Sequence, residues 1–159
     1  MLRAGVLRSG RRFASALPGG HRSTLNNMGF EMQEPSPLVD EWAASFDGRR
    51  PIAEVGCAYG LNAVAAAKRL QARGSCDPRK QIVVAADSDP KKLAHVDAIE
   101  NPRIHTGRVK LPDDTSALQT TTTLSGVQQR TTLSGVLVSE VLHFLSGAEI
   151  ERALAALFK

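Results

Sequence analysis

The sequence predicts an α/β fold built on a parallel sheet, and three observations carry that prediction. From residue 37 onward, short apolar runs alternate with segments of helical periodicity. The clearest run, residues 81–86 (QIVVAA), is β-branched and apolar without alternation, as expected of a strand covered on both faces. The segments between runs are long enough to be crossover helices, which join parallel strands with right-handed connections.

Each element follows in order. Pro35-Ser36-Pro37 breaks the chain and places Ser36 to cap a helix over 37–46, where Leu38, Val39, Trp42 and Phe46 recur at helical spacing. Pro37 suits the first turn, and Asp47-Gly48 ends the segment. Trp42 belongs to the core or forms a lid over a cleft. Residues 52–55 (IAEV), bounded by Pro51 and Gly56, read as a buried strand. Residues 61–73 are alanine-rich and helical, closed by Gly74. After the strand at 81–86, Asp89-Pro90 is a helix start, and 90–99 continue it. Residues 103–106 make a weak third strand, 107–130 are polar and threonine-rich with no assigned element, and 135–139 (GVLVS) form a fourth strand. Ser146 or Gly147 opens a last helix over 148–158, with Ile150, Leu154, Leu157 and Phe158 on one face. The hexapeptide TTLSGV occurs at 122–127 and again at 131–136. One duplication is not a solenoid period; it reads as a tolerated loop insertion, a recent duplication or an error in the gene reading.

Composition bounds the function. A chain of 159 residues holds one domain with a real core. Aromatic residues are only 4%, so that core must be built from Ala, Val, Leu and Ile. No apolar run approaches the roughly 18 residues of a bilayer span. The net charge of +4 hints at nucleic acid, but residues 1–30 hold five arginines and no acid. The remainder has 15 basic and 16 acidic residues, so the body carries no basic footprint. Cys57 and Cys76 lack metal-ligand spacing and read as free thiols of a reducing compartment, and no metal site is expected.

The first 25 residues, MLRAGVLRSGRRFASALPGGHRSTL, have the composition of a mitochondrial transit peptide: arginine, serine, scattered apolar residues and no acid. A cationic, weakly amphipathic helix is drawn to a negatively polarised membrane. Arg11-Arg12-Phe13-Ala14-Ser15 resembles a matrix-processing site. The expectation is an address at 1–30 directing the protein to the mitochondrial matrix, and a body at 35–159. The competing reading is a disordered basic tail on a cytoplasmic protein.

Chemistry concentrates in Glu54-Val55-Gly56-Cys57-Ala58-Tyr59-Gly60, between a strand and a helix. Gly56 lets the chain turn as the strand ends, and Gly60 allows close backbone approach and opens the helix. Glu54 lies at the carboxyl end of its strand, where open α/β sheets bind ligands, and an acid there suits a cationic group and disfavours phosphate. Asp87 ends the next strand, 27 residues after Gly60, where a carboxylate can accept ribose hydroxyls. Cys57 is a small apolar filler in preference to a nucleophile, since no base is placed beside it. Tyr59 lies along a cofactor or packs. His143 packs or caps, and His21, His95 and His105 read as surface residues.

These segments, E-x-G-x-x-x-G, a helix, then VVAADSDP, resemble the first two motifs of class I S-adenosylmethionine-dependent methyltransferases. The resemblance covers about residues 35–159. It implies a Rossmann-like parallel sheet, here about four of seven strands, and S-adenosylmethionine as cofactor. It places Glu54, Gly56, Cys57, Ala58, Tyr59 and Gly60 near the methionyl moiety, Asp87 at the ribose and Ser88 beside the adenine. The stretch from Gly135 to Leu145 resembles the family's fourth strand and following turn, so Ser139 and Glu140 border the transfer site. Catalytic residues are not implied, and the methyl acceptor, a small molecule or a protein, is left open.

Departures accompany the likeness. Ala58 replaces the usual central glycine, Arg108 in Gly107-Arg-Val-Lys-Leu-Pro112 stands where the family has an acid facing the adenine amine, and strands five to seven do not follow Lys159. The fourth strand is then an open edge that invites self-association. Two other readings remain. A cofactor-binding or interaction module without catalysis needs only the loop and Asp87. A nicotinamide-binding Rossmann protein also uses G-x-x-x-G, but short-chain dehydrogenases need Tyr-x-x-x-Lys, and four residues after Tyr59 comes Ala63.

Overall fold

The structure is a computed structural model that describes residues 34–73, 81–122, 128–130, 132–139 and 141–158. The proposed address at 1–30, Gly74, Cys76, Glu140 and most of the first TTLSGV copy lie outside the described residues. In chain order the elements are α1 Pro37–Ala44, β1 Ile52–Val55, α2 Leu61–Ala72, β2 Val83–Asp87, α3 Pro90–Asp97, β3 Ile104–Arg108, β4 Thr120–Thr122, β5 Gln128–Arg130, β6 Gly135–Val138 and α4 Gly147–Leu157. Single 3-10 turns at Ser116–Leu118 and Leu142–Phe144 complete them.

Four strands form one sheet in the order β3-β2-β1-β6, every pairing parallel. This is an incomplete Rossmann-like α/β arrangement. Ile52 sits opposite Val83 on one side and Gly135 on the other, so β1 is an interior strand, as is β2. Alternating side chains feed two cores. Ile52, Val83 and Ala85 face α1, α2 and α3, joining Val39, Ala43, Leu70, Leu93 and Val96. Ala53, Val55, Val84 and Ala86 face the other way, joining Val109, Leu111, Leu118 and Ala153. By the same alternation, Glu54 and Asp87 share the α2 and α3 face at the carboxyl end of the sheet.

The alanine content of α2 explains its closeness to the sheet: Ala63, Ala66 and Ala67 are fully buried and let the helix backbone approach β1 and β2. Trp42 meets Phe46 edge-on, with ring centroids 5.6 Å apart, and packs against this core, so it serves the interior and not a lid. The Arg73 guanidinium donates to the carbonyls of Ala44 and Phe46, closing the carboxyl end of α1 from the end of α2.

Caps match the sequence in two of three cases. Asp89 caps α3 by accepting from the Lys91 amide at 2.9 Å, with Pro90 at the first position. Ser146 and Glu149 form a reciprocal capping box on α4. Ser36 stands at the cap of α1, but its hydroxyl makes no cap bond; its backbone is used instead. The second strand begins at Val83 and includes Asp87, two residues later than the apolar run suggests, because Ile82 and Gln81 precede the parallel ladder. The largest departure is an antiparallel hairpin, β4 with β5, inside the stretch read as structureless. Its Thr-Thr-Thr strand is β-branched but polar, so apolar patterning misses it. The second TTLSGV copy leads into β6 through Gly135 and Val136, whereas Thr122 of the first copy ends β4.

Candidate functional site

At the end of β1 the chain turns sharply. Gly56 and Gly60 both have φ +83°, and Ala58 has φ +47°. A side chain at Gly56 would stand 2.2 Å from Val141 Cγ2 and 2.5 Å from the Ser139 carbonyl oxygen; at Gly60 it would stand 2.9 Å from Val96 Cγ2. Both positions therefore require glycine for conformation and for packing against protein. The Gly56 and Cys57 amides continue the sheet by donating to the Ala86 carbonyl at 2.8 and 3.0 Å.

Glu54 is 1% exposed. Its Oε1 accepts from Asn62 Nδ2 at 2.8 Å and from Ser139 Oγ at 3.1 Å. Its Oε2 is buried and, among the described residues, has no hydrogen-bond partner. The Ala63 amide in the first turn of α2 favours the charged form without closing a bond of normal geometry. Burial outweighs these donors and, with the nearby Asp87 charge, pushes the carboxyl up to about 7 from an ordinary 4.5. A buried carboxylate oxygen without a donor is costly, and it marks a place that a donor or a cation would complete.

Asp87 is 7% exposed and holds the loop in place. Its Oδ2 accepts from the Ala58 amide at 3.0 Å and its Oδ1 from the Asp89 amide at 2.9 Å. Each oxygen keeps a second lone pair for an outside donor. The Ala58 amide held by this bond belongs to a non-glycine residue of positive φ. Ser88 is exposed beside Asp87, and Arg108, paired with Asp87 in the β2–β3 register, is exposed too.

Cys57 is buried in the α2-side core, and burial followed by the Glu54 and Asp87 charges pushes its thiol far above the usual range. It is filler, as its setting in the sequence suggests. Half-buried Tyr59 meets His95 edge-on at 5.3 Å, and His143 lies against Phe144. His105 is not a plain surface residue: it is half-buried on β3, with Nδ1 unpartnered among the described residues, and burial lowers its pKa.

The structure thus gathers Glu54, Gly56, Cys57, Ala58, Tyr59, Gly60, Asp87 and Ser139 at one end of the sheet. Sequence reasoning missed Asn62, the second residue of α2, whose amide is the closest partner of Glu54. A polar residue among the alanines of a buried helix face was the available signal. A cleft lined by Phe46, Arg49, Arg50 and Leu133 lies at the opposite, amino end of the strands, away from this site. Among the described residues, no group of His, Cys, Asp and Glu could hold a metal ion, and no helix is long and apolar enough to cross a membrane.

No protein-family model and no curated protein matches this sequence. Among solved structures, the chain is similar to the trans-methyltransferase CalH in complex with SAH, at a TM-score of 0.52 and 14% identity. The match covers 76% of this chain and 32% of that one, so the chain spans about a third of the length of CalH. At this identity the likeness shows the fold alone: a Rossmann-like α/β sheet.

Proposed function

We propose that this chain is the S-adenosylmethionine-binding half of a methyltransferase that acts on a small molecule or protein. The observation that carries the reading is Glu54 Oε2, a buried carboxylate oxygen with no hydrogen-bond partner of normal geometry among the described residues, at the carboxyl end of β1. An amino-acid ammonium group fits that oxygen in charge and in hydrogen-bonding sense, and a phosphate does not. The remaining lone pairs of Asp87 fit ribose hydroxyls. When bound, S-adenosylmethionine supplies a methyl group on a sulfonium, which an acceptor attacks in line. What the chain contributes is orientation: Glu54 and Asp87 fix two ends of one ligand, and the Ser139 hydroxyl keeps Glu54 aimed.

A second reading, a cofactor-binding or interaction module without catalysis, is favoured by Val141, which with the Ser139 carbonyl occupies the space over Gly56. Isothermal titration of the full chain with S-adenosylmethionine, S-adenosylhomocysteine and NAD tests both. Binding of the first two in the micromolar range, lost in Asp87→Ala, supports the proposal; binding of NAD alone, or of none, defeats it. Turnover on any acceptor would set aside the non-catalytic reading.

We also propose that residues 1–30 address the protein to the mitochondrial matrix; a fluorescent fusion of that segment that stays cytosolic would refute this. Self-association through the β6 edge is proposed as well, and sedimentation velocity showing only monomer at high concentration would refute it.

A further inference from the structure

Asn62 faces two ways. Its Oδ1 accepts from the Ser36 amide at 2.9 Å, and its Nδ2 donates to Glu54 Oε1 at 2.8 Å. A backbone N–H can only donate, so Ser36 fixes Oδ1 toward the start of α1 and leaves the amino group for Glu54. The side chain is 7% exposed, so water offers little substitute for either bond. The Ser36 carbonyl in turn accepts from Val39, which ties this amide to the first turn of α1.

We infer that Asn62 is a positioning residue that couples the charge on Glu54 to the anchoring of Ser36 at the start of α1. A hydrogen bond to an ionised carboxylate is roughly twice as strong as one to a neutral acid, and a fixed amide passes that polarisation to its other end. Ionised Glu54 therefore holds Asn62 in the orientation that Ser36 needs, and protonated Glu54 holds it less firmly. The groups facing Glu54 are the Asp87 carboxylate from β2, the Cys57 thiol from the loop, the Ala63 amide from α2 and the Ser139 hydroxyl after β6. Lys92 of α3 acts on the Cys57 thiol. Among the described residues, the groups that shift Glu54 are hydrogen-bond donors and the Asp87 carboxylate, so a cationic ligand group at Oε2 would favour ionised Glu54 and tighten Ser36. That last step rests on the function proposed above; the link from Glu54 to Ser36 does not.

The test uses the full chain without ligand. Carbon-13 NMR follows the Glu54 carboxyl through its titration, and amide exchange, corrected for intrinsic rates, follows Ser36. In the unsubstituted protein, Ser36 protection rises with the midpoint of Glu54. In Asn62→Ala that dependence disappears and the Glu54 midpoint climbs by about one pH unit, the size of one hydrogen bond to a charged group. Asn62→Leu separates positioning from packing, since leucine has nearly the same branched shape but neither donor nor acceptor. Its Glu54 midpoint rises as it does in Asn62→Ala. A Glu54 midpoint that is the same in all three proteins, or Ser36 protection indifferent to that titration, overturns the inference. Added S-adenosylhomocysteine should then raise Ser36 protection in the unsubstituted protein and not in Asn62→Ala. Failure of that ligand to bind at all counts against the proposed function, while the ligand-free titrations still decide the role of Asn62.

Discussion

Replacing Glu54 by Gln isolates what the buried carboxyl does to stability. The native carboxyl holds its proton up to about 7, whereas an unfolded chain releases it near 4.5. The native state therefore binds more protons between those values, and stability falls as pH rises across that window. The interval is about 2.5 pH units, worth about 3 kcal/mol at roughly 1.36 kcal/mol per unit, and the cost is complete above the native value. Glutamine has nearly the same shape and keeps an oxygen for Asn62 and Ser139, but it does not titrate. Its amide nitrogen replaces Oε2 and lacks an acceptor there, a pH-independent cost of about 1–3 kcal/mol. The difference in unfolding free energy between Glu54→Gln and the unsubstituted protein should thus move by about 2.5 kcal/mol in favour of the variant from about pH 5 to about pH 8. Comparing the two proteins cancels the other carboxylates. Urea denaturation followed by the fluorescence of Trp42, half-buried against Phe46, measures it. A difference constant across that range would refute the reasoning.

Other consequences follow from the same geometry. Gly56→Ala meets both a positive φ and a collision with Val141, and should lose about 2–4 kcal/mol of unfolding free energy by urea titration. A smaller loss of about 1–3 kcal/mol is expected for Gly60→Ala, where the contact at 2.9 Å is looser than at Gly56 and involves the Val96 side chain but no backbone atom. Cys57, buried with its thiol pushed well above the usual range, should resist iodoacetamide in the native protein and react on unfolding, as read by peptide mass mapping; rapid native labelling would contradict the core assignment.

Much of the fold was legible because burial on two faces leaves an unbroken apolar signature, as in IAEV and QIVVAA, and because Asp89-Pro90 and Ser146 announce helix starts chemically. The β4–β5 hairpin was not legible, since threonine reads as polar in any hydropathy pattern while its branched Cβ suits a strand. At the site, Glu54, Gly56, Gly60 and Asp87 were found from their positions at strand ends. Their partners were not. The reach of Asp87 back to the Ala58 amide, the closeness of Val141 to Gly56 and the hydrogen bond from Ser36 to Asn62 all join residues far apart in the chain, and no local pattern encodes them. Gly56 was expected to let the chain turn and Gly60 to allow close backbone approach; both have φ +83°, and the nearest neighbours of a side chain there would be Val141 and Ser139 at Gly56 and Val96 at Gly60.

The claim that the free oxygen of Glu54 receives the amino-acid end of the cofactor is tested most directly by comparing two ligands. S-adenosylhomocysteine carries that end, and 5′-methylthioadenosine keeps the nucleoside and lacks it. Calorimetry at about pH 8 should show the first binding at least about tenfold more tightly, the worth of one charge-assisted hydrogen bond. In Glu54→Gln the preference should shrink to near parity while binding of the nucleoside is kept. Equal affinities in the unsubstituted protein, or a preference untouched by the substitution, would contradict the account.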